Sequence, residues 1–156
     1  MEIVVTGALG RGKTPLSAFD DALFEVGVAN YNLIKLSSII PVGAKIKKKK
    51  IESLNKEYGF RLYAVYDYKI AVKNESAWAG LGWFQKNNGQ GVFVEHSGTN
   101  KKEVERLIKM SILELKKRRK FKGKYNKLII GQKNKSKFFI CSLAIAKYKV
   151  ESWDNK

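Results

Sequence analysis

The sequence predicts an α+β fold, because two helix-like segments are interspersed with groups of strand-like segments along 156 residues. The strand-like segments are rich in Val, Ile, Tyr and Phe, and each helix-like segment carries one apolar stripe. Such stripes must be buried against sheets. We therefore expect a layered α/β/β/α sandwich, in which helices cover mixed or antiparallel sheets. The length and a hydrophobic fraction of 44% suit a single domain over residues 1–156.

The amino-terminal region predicts one strand and one helix. Residues 3–5 are an apolar strand segment, and the glycine-rich stretch at 7–12 is expected to be a flexible loop. Thr14 can cap the helix that follows, and Pro15 suits its first position, where a missing N–H costs nothing. Apolar residues then recur at helical spacing as far as Val26, and Gly27 is a natural helix end.

The remaining elements follow from alternation and from a second amphipathic segment. Residues 31–39 alternate as one strand, and Asn100 with Glu103 forms a capping pair for a helix over residues 100–120. The buried stripe of that helix is expected to hold Val104, Leu107, Ile108, Ile112 and Leu115. Further strands are expected at residues 60–72, 77–84, 91–95, 127–130 and 137–148.

Residues 7–14, Gly-Ala-Leu-Gly-Arg-Gly-Lys-Thr, match the spacing of a phosphate-binding loop. In such a loop the backbone N–H groups near the end of the motif point at phosphate. Pro15 has no N–H to offer, and Asp67 is the only acid placed after an apolar strand as a magnesium ligand requires. We therefore interpret the stretch as a glycine loop before a Thr-Pro helix start.

Basic residues dominate the charge. Lysine and arginine total 31 against 14 acids, which gives 31 − 14 = +17, and two lysine-rich runs lie at residues 45–50 and 116–124. A field of this sign attracts nucleic acid or an anionic membrane non-specifically, although a solvated lysine-rich surface is the simpler interpretation. Aromatic residues among the cations, such as Trp78 and Trp83, leave open an alternative function: a basic single-stranded nucleic-acid-binding module without enzymatic activity.

Other features indicate a cytoplasmic protein. Cys141, the only cysteine, lies in an apolar run, and a buried free thiol suits a reducing compartment. The start of the chain lacks the pattern of a signal peptide, and no run approaches the ~20 apolar residues of a membrane span. His96 is the only histidine, so we expect it to be structural and expect no metal centre.

Three short motifs in register resemble the pyruvoyl-dependent arginine decarboxylase family. They are Thr-Pro-Leu-Ser-Ala-Phe-Asp at 14–20, Asn-Tyr-Asn-Leu-Ile at 30–34 and Ser-Ser-Ile-Ile-Pro at 37–41. A Val-Glu pair at 94–95, followed by Lys-Lys-Glu-Val-Glu at 101–105, matches further along the chain. The chain departs from the family at Ala29, where glycine is usual, at Val42, where a second proline is frequent, and in the lysine run after Ala44.

The resemblance implies that the chain cuts itself between Ser37 and Ser38. The products are a small β chain of residues 1–37 and a larger α chain of residues 38–156. By autocatalytic serinolysis Ser38 becomes a covalent pyruvoyl group, the cofactor. That group forms a Schiff base with arginine and draws electrons as carbon dioxide leaves, so that agmatine is the product.

The resemblance also implies roles for two residues on two of the predicted strands. Asn32 positions the serine during processing; its strand places it on the same face as Ser38, although an ordinary polar strand residue fits this position equally. Glu95 is the proton donor to the carbanion. Alternation places Glu95 on the same face as Phe93, where burial raises the pKa of a carboxyl group; a solvated strand-end glutamate is the simpler alternative.

Asp20 is the residue that the resemblance assigns to the substrate guanidinium. Leu16, Leu23 and Phe24 stand three and four positions from it. This spacing places Asp20 at the border of the expected apolar face and Asp21 on the polar side. A carboxylate in such a half-buried position can bind a guanidinium through two hydrogen bonds. In the family this residue is presented across a subunit boundary, which implies a homotrimer or a pair of trimers.

Overall fold

Two facing sheets lie between two helices in the computed structural model, which describes residues 1–154. The elements are β1 (Glu2–Gly12), α1 (Pro15–Val26), β2 (Asn32–Lys35), β3 (Ile39–Ile40), β4 (Lys45–Lys48), a single 3₁₀ turn (Asn55–Glu57), β5 (Arg61–Ala71), β6 (Ser76–Gln85), β7 (Gly91–Gly98), α2 (Lys101–Arg118), β8 (Asn126–Lys133) and β9 (Phe139–Glu151). Within these residues no helix has the length and apolar character that crossing a membrane requires.

The first sheet has five strands in the order β2-β5-β9-β1-β4, and the second has four in the order β3-β7-β6-β8. Neighbours in the second sheet are antiparallel, whereas the first sheet is mixed because its two outer strands pair in parallel. α1 packs on the outer face of the five-stranded sheet and α2 on the outer face of the four-stranded sheet. The predicted α/β/β/α sandwich is confirmed.

Three apolar layers hold the sandwich together. One lies between α1 and the first sheet, one between the two sheets and one between the second sheet and α2. Both helices begin as the sequence predicts. The Thr14 side chain accepts from the Ser17 backbone N–H, and the Asn100 side chain accepts from the Glu103 backbone N–H. Gly27 ends α1 in the left-handed conformation that favours glycine.

The predicted glycine loop at residues 7–12 is wrong, because β1 continues through it to Gly12. The glycines serve close packing rather than flexibility. A Cβ atom on Gly10 would lie 2.4 Å from the Ala18 carbonyl oxygen, and one on Gly12 would lie 2.4 Å from the Ala18 backbone nitrogen. The stretch is extended strand against α1, which agrees with rejection of the phosphate-binding loop.

The single predicted strand at residues 31–39 is also wrong. β2 ends at Lys35 in the five-stranded sheet, whereas β3 begins at Ile39 in the four-stranded sheet. The chain therefore changes sheets over residues 36–38. The cause is the hydrogen-bond register, since β2 pairs with β5 and β3 pairs with β7 on the other side of the core.

Candidate active site

The serine pair lies where the chain passes from one sheet to the other. On the amino-terminal side, the backbone N–H of Leu36 donates to the Ala64 carbonyl oxygen in β5 (2.9 Å). On the carboxyl-terminal side, the Phe93 backbone N–H in β7 donates to the Ser38 carbonyl oxygen (2.8 Å). The Ser37–Ser38 peptide bond thus has one anchored end in each sheet, and its flanking segments are fixed independently of each other.

Ser38 is held in a strained, largely buried position. Its φ of 72° lies in the left-handed region, which a non-glycine residue adopts at a cost of about 1–3 kcal/mol. The side chain is buried, and its hydroxyl group contacts both carboxyl oxygens of Glu95 at 2.9 Å. The hydroxyl oxygen therefore has a proton acceptor in place, next to the backbone bond at which the two serines join.

Glu95 faces the space between the sheets, as the alternation of its strand predicts. It lies opposite Leu81 in β6, a member of the apolar layer between the sheets, and Phe93 lies on the same face. Burial raises the pKa of the Glu95 carboxyl group above its ordinary value and outweighs the lowering by the Ser38 hydrogen bond. Among nearby charges, Lys35 lowers this pKa and Asp67 raises it.

Two residues at this site were missed from the sequence. The Tyr148 hydroxyl in β9 donates to the carbonyl oxygen of Ile39, one residue after Ser38 (2.9 Å). Asp67 in β5 lies opposite Ala144, which packs between the sheets, so its carboxyl group faces the same space as Glu95. Neither residue lies near the motifs in sequence. They approach the serine because the five-stranded sheet, which holds β5 and β9, packs against the sheet that holds β3 and β7. The sequence alone suggested for Asp67 no role beyond that of a magnesium ligand.

A cavity of about 610 Å³ opens beside the serine pair. Its lining includes both serines, Glu95 and His96 from β7, and Met110 and Arg119 from α2 and its end. The Nε2 atom of His96 lies 2.8 Å from the Ser111 hydroxyl on α2. The His96 ring therefore points toward α2, on the opposite face of β7 from the Leu81-facing side of Glu95, although both residues contribute to the cavity lining.

Asn32 is not brought together with Ser38. It begins β2 in the five-stranded sheet, its side chain is exposed, and its amide nitrogen donates to the Gly59 carbonyl oxygen (2.7 Å). The expected shared strand face is wrong, because period-two alternation applies only within one continuous strand and this strand ends at Lys35.

Asp20 is also placed differently from the prediction. It is exposed on α1, whereas Asp21 is half-buried and accepts a hydrogen bond from the Arg11 backbone N–H (2.7 Å). Of the three residues expected on the apolar face beside it, Leu23 is buried, but Leu16 and Phe24 are 75% and 57% exposed. Asp20 thus lies between two exposed apolar side chains, on the outer layer of the sandwich and away from the serine cavity.

The protein is thus an α+β sandwich in which a strained serine, Ser38, donates a hydrogen bond to the partly buried carboxyl group of Glu95 where the chain passes between the two sheets. A family model described as pyruvoyl-dependent arginine decarboxylase matches residues 2–152. The chain is similar to three proteins named pyruvoyl-dependent arginine decarboxylase. They come from Pyrococcus furiosus (36% identity over 71% of each chain), Thermococcus kodakarensis (35% over 70% of each) and Pyrococcus abyssi (34% over 83% of this chain and 82% of the relative). The chain belongs to the pyruvoyl-dependent arginine decarboxylase family.

Proposed function

We propose that this protein decarboxylates arginine to agmatine and carbon dioxide, with a pyruvoyl cofactor made from its own Ser38. The single observation that carries the proposal is the contact of the Ser38 hydroxyl with Glu95, 2.9 Å from each carboxyl oxygen, in a chain of this family. The activity itself is what the names of the relatives state of those proteins.

Processing begins with the Ser38 hydroxyl, which attacks the carbonyl carbon of Ser37 while Glu95 takes its proton. The peptide C–N bond breaks, the nitrogen of residue 38 gains a proton, and Ser37 is joined to the Ser38 oxygen as an ester. Loss of the α-proton of residue 38 then breaks the Cβ–O bond and releases Ser37 as a carboxylate. Water replaces the nitrogen of the remaining enamine, ammonia leaves, and a ketone remains at residue 38.

Two contacts support the geometry of that step. The Phe93 N–H holds the Ser38 carbonyl oxygen and the Tyr148 hydroxyl holds the Ile39 carbonyl oxygen, so the downstream backbone is fixed while the upstream bond reacts. Tyr148 is therefore a positioning residue in this proposal. Residue 38 already has a left-handed φ, and cleavage of the bond before it releases that strain.

Glu95 serves a second purpose after processing. A pyruvoyl group held at residue 38 would supply a ketone able to bind the substrate amine and to withdraw electrons from the reacting carbon. Glu95 then returns a proton to the substrate carbon. Conversion of Ser38 removes the hydroxyl group that lowers the pKa of Glu95, while burial and Asp67 continue to raise it. The same carboxyl group therefore keeps its proton to higher pH in the processed enzyme than in the precursor, so the proton that it must give is present.

The two products of cleavage are expected to stay together. The small chain, residues 1–37, supplies β1, which pairs with β4 and with β9, and β2, which pairs with β5. It also supplies α1, whose buried side chains belong to the layer over the five-stranded sheet. Removal of this piece would expose that whole layer to water, so the processed enzyme is one folded unit of two chains.

We assign the substrate guanidinium to Asp20 of a second copy of the chain. Within one copy Asp20 lies on the outer helical layer, and exposed Leu16 and Phe24 flank it at helical spacing. Exposed apolar residues around an acid are typical of a surface that a partner subunit covers. A homotrimer of two-chain units, or a pair of trimers, places this surface at the mouth of a neighbour's serine cavity. The buried free thiol of Cys141 suits work in the cytoplasm.

The decisive experiment is intact mass spectrometry of the purified protein together with carbon dioxide release from carboxyl-labelled arginine. We expect two masses, for residues 1–37 and for residues 38–156 with the serine nitrogen lost, and release that depends on cleavage. One uncleaved mass after prolonged incubation, together with no reaction of the protein with a carbonyl reagent, would falsify the proposal. Cleaved protein that releases carbon dioxide from lysine or ornithine but not from arginine would overturn the substrate alone.

A further inference from the structure

The fold brings the two lysine-rich runs together at one end of the molecule. The Lys48 ammonium group, in β4, donates to the Lys127 carbonyl oxygen at the start of β8 (3.1 Å). The same ammonium group lies 5.1 Å from the centre of the Trp83 ring at the end of β6. Lys127 lies three residues after the second run, so the first run and the end of the segment 116–127, far apart in sequence, meet at this contact.

A third segment joins them. The turn between β6 and β7 carries Lys86, which lines a shallow depression together with Arg119. The same turn is fixed to the first lysine run, since the Gln85 side chain donates to the Ala44 carbonyl oxygen (2.9 Å). We call this surface the basic end and define it as residues 45–50, Lys86 and residues 116–127.

Few of these cations are neutralised. Within residues 1–154, the ion pairs that involve the basic end join Lys49 to Glu2 and Lys127 to Glu105. Most of its other lysines and arginines are exposed. Lysines on β4 also discourage pairing of an open sheet edge. That explanation does not extend to the connection between α2 and β8, which has no open edge to protect.

The composition of the basic end favours a phosphate polymer over a membrane. None of the large exposed apolar side chains of the described chain lies in residues 45–50 or 116–127. At the border of the basic end, Ile39 lines the depression with Lys86 and Arg119, and Val42 precedes the first lysine run. A membrane-binding surface combines cations with apolar residues that enter the lipid. Binding through the sugar-phosphate backbone of a nucleic acid needs only the cations.

We propose that the basic end is a binding surface for the phosphate backbone of nucleic acid, without sequence preference. It borders the serine cavity at Arg118 and Arg119, whereas its other cations lie outside the lining of that cavity. Trp83, one of the aromatic residues that the sequence suggested for base stacking, cannot stack on a base, because it is buried in the core between the sheets and is only 4% exposed. Recognition is therefore electrostatic. Single strands and duplexes both bind, and affinity falls steeply with salt.

Two variants with equal charge test the location. The first, K47Q/K50Q/K122Q/K124Q, removes four exposed lysines from the basic end. The control, K73Q/K133Q/K135Q/K137Q, removes four exposed lysines around the β5–β6 and β8–β9 turns. Each variant has a net charge of 17 − 4 = +13. The two regions are well separated: Lys127 of the basic end and Lys133 of the control region lie six residues apart on β8, which is about 20 Å along a strand.

The measurement is fluorescence anisotropy of a labelled oligonucleotide, single-stranded and duplex, between about 50 and 200 mM salt. We expect the basic-end variant to bind the duplex at least tenfold more weakly. Its slope of log affinity against log salt should fall by about 0.9 for each phosphate that the protein no longer neutralises. The control should stay within twofold of the unsubstituted protein. An equal decrease in affinity for both variants means that net charge alone attracts the polymer, and it overturns the proposal.

Three parallel measurements complete the test. Binding to phosphatidylserine-containing vesicles without binding to oligonucleotides overturns the proposal in favour of a membrane surface. A change in subunit number in the basic-end variant, measured by light scattering, overturns it in favour of a subunit contact. None of the four substituted residues lines the serine cavity, so self-cleavage and arginine decarboxylation should remain unchanged in the basic-end variant. If the decarboxylase proposal is wrong, the unsubstituted protein will lack self-cleavage and arginine decarboxylation, and this result does not depend on whether it binds nucleic acid.

Discussion

Glu95 and Asp20, the two acids assigned to the reaction, lie in contrasting surroundings. Glu95 is half-buried between the sheets, bonded to the Ser38 hydroxyl, and surrounded by parts of the same chain. Asp20 is exposed on an outer helix between exposed apolar side chains. Under the proposed function, one chain holds the groups for cofactor formation, whereas substrate binding by Asp20 needs a second copy of the chain; substitutions at the two sites test this difference.

The largest expected effect is that of Ser38→Ala, because this substitution removes the attacking oxygen. We expect no cleavage, no carbonyl group on the protein and no decarboxylation, while the fold is retained because a buried hydroxymethyl is replaced by a methyl. Intact mass and circular dichroism measure both results. Ser37→Ala is the matched control. Its exposed side chain is changed but its backbone carbonyl remains, so cleavage should continue.

The second largest effect is expected at Glu95, and its sign depends on the step. Cleavage needs the carboxylate, so its rate should rise with pH through the raised pKa of Glu95. Decarboxylation needs the carboxylic acid, so its rate should fall as pH rises through that pKa. Glu95→Gln should slow both steps by roughly 10²- to 10⁴-fold. The rise of the cleavage rate with pH is measured by cleavage kinetics, and the fall of the decarboxylation rate by carbon dioxide release across the same pH range.

Two neighbours provide opposed controls for this pH dependence. Asp67→Asn removes a charge that raises the pKa of Glu95, so both midpoints should move to lower pH. Lys35→Gln removes a charge that lowers the same pKa, so both midpoints should move to higher pH. Shifts in the same direction for the two variants would contradict the assignment of these midpoints to Glu95.

The third effect concerns Asp20 and the partner copy. Asp20→Asn should leave cleavage intact and raise the KM for arginine roughly 10- to 100-fold, because a charge-assisted contact to the guanidinium is weakened. Mixed assemblies give a sharper test. Inactive Ser38→Ala supplies an intact Asp20, and Asp20→Asn supplies an intact Ser38, so refolding the two together should restore activity. Activity no greater than that of Asp20→Asn alone would show that the two residues act within one copy.

The smallest effect is expected at Tyr148, which acts only through the backbone. Tyr148→Phe removes the hydrogen bond to the Ile39 carbonyl oxygen and should slow cleavage about fivefold, the factor that corresponds to a hydrogen bond of about 1 kcal/mol. Once cleavage is complete, kcat for arginine should change much less than the cleavage rate did. Equal decreases in both rates would mean that Tyr148 contributes to substrate turnover as well.

Much of the fold followed from local chemistry. The caps at Thr14 and Asn100, the helix end at Gly27 and the alternation of β7 each depend on neighbouring residues, and each was predicted correctly. The errors share one cause. Gly7–Gly12 resembled a loop and residues 31–39 resembled one strand, because the packing of α1 on Gly10 and the change of sheet at residues 36–38 depend on distant partners.

The sequence by itself determined the serine pair, the motifs that indicate the family, and the orientation of Glu95 on its strand, because each is fixed by residues close along the chain. Only the tertiary structure decided which groups meet. In the tertiary structure the Ser38 hydroxyl is hydrogen-bonded to Glu95, and Tyr148 and Asp67 lie at the same site. Asn32 lies apart from the serine and Asp20 is exposed. The segments that hold the two lysine runs meet at Lys48 and Lys127. These contacts depend on strand register and layer order, which the whole chain sets through long-range pairing.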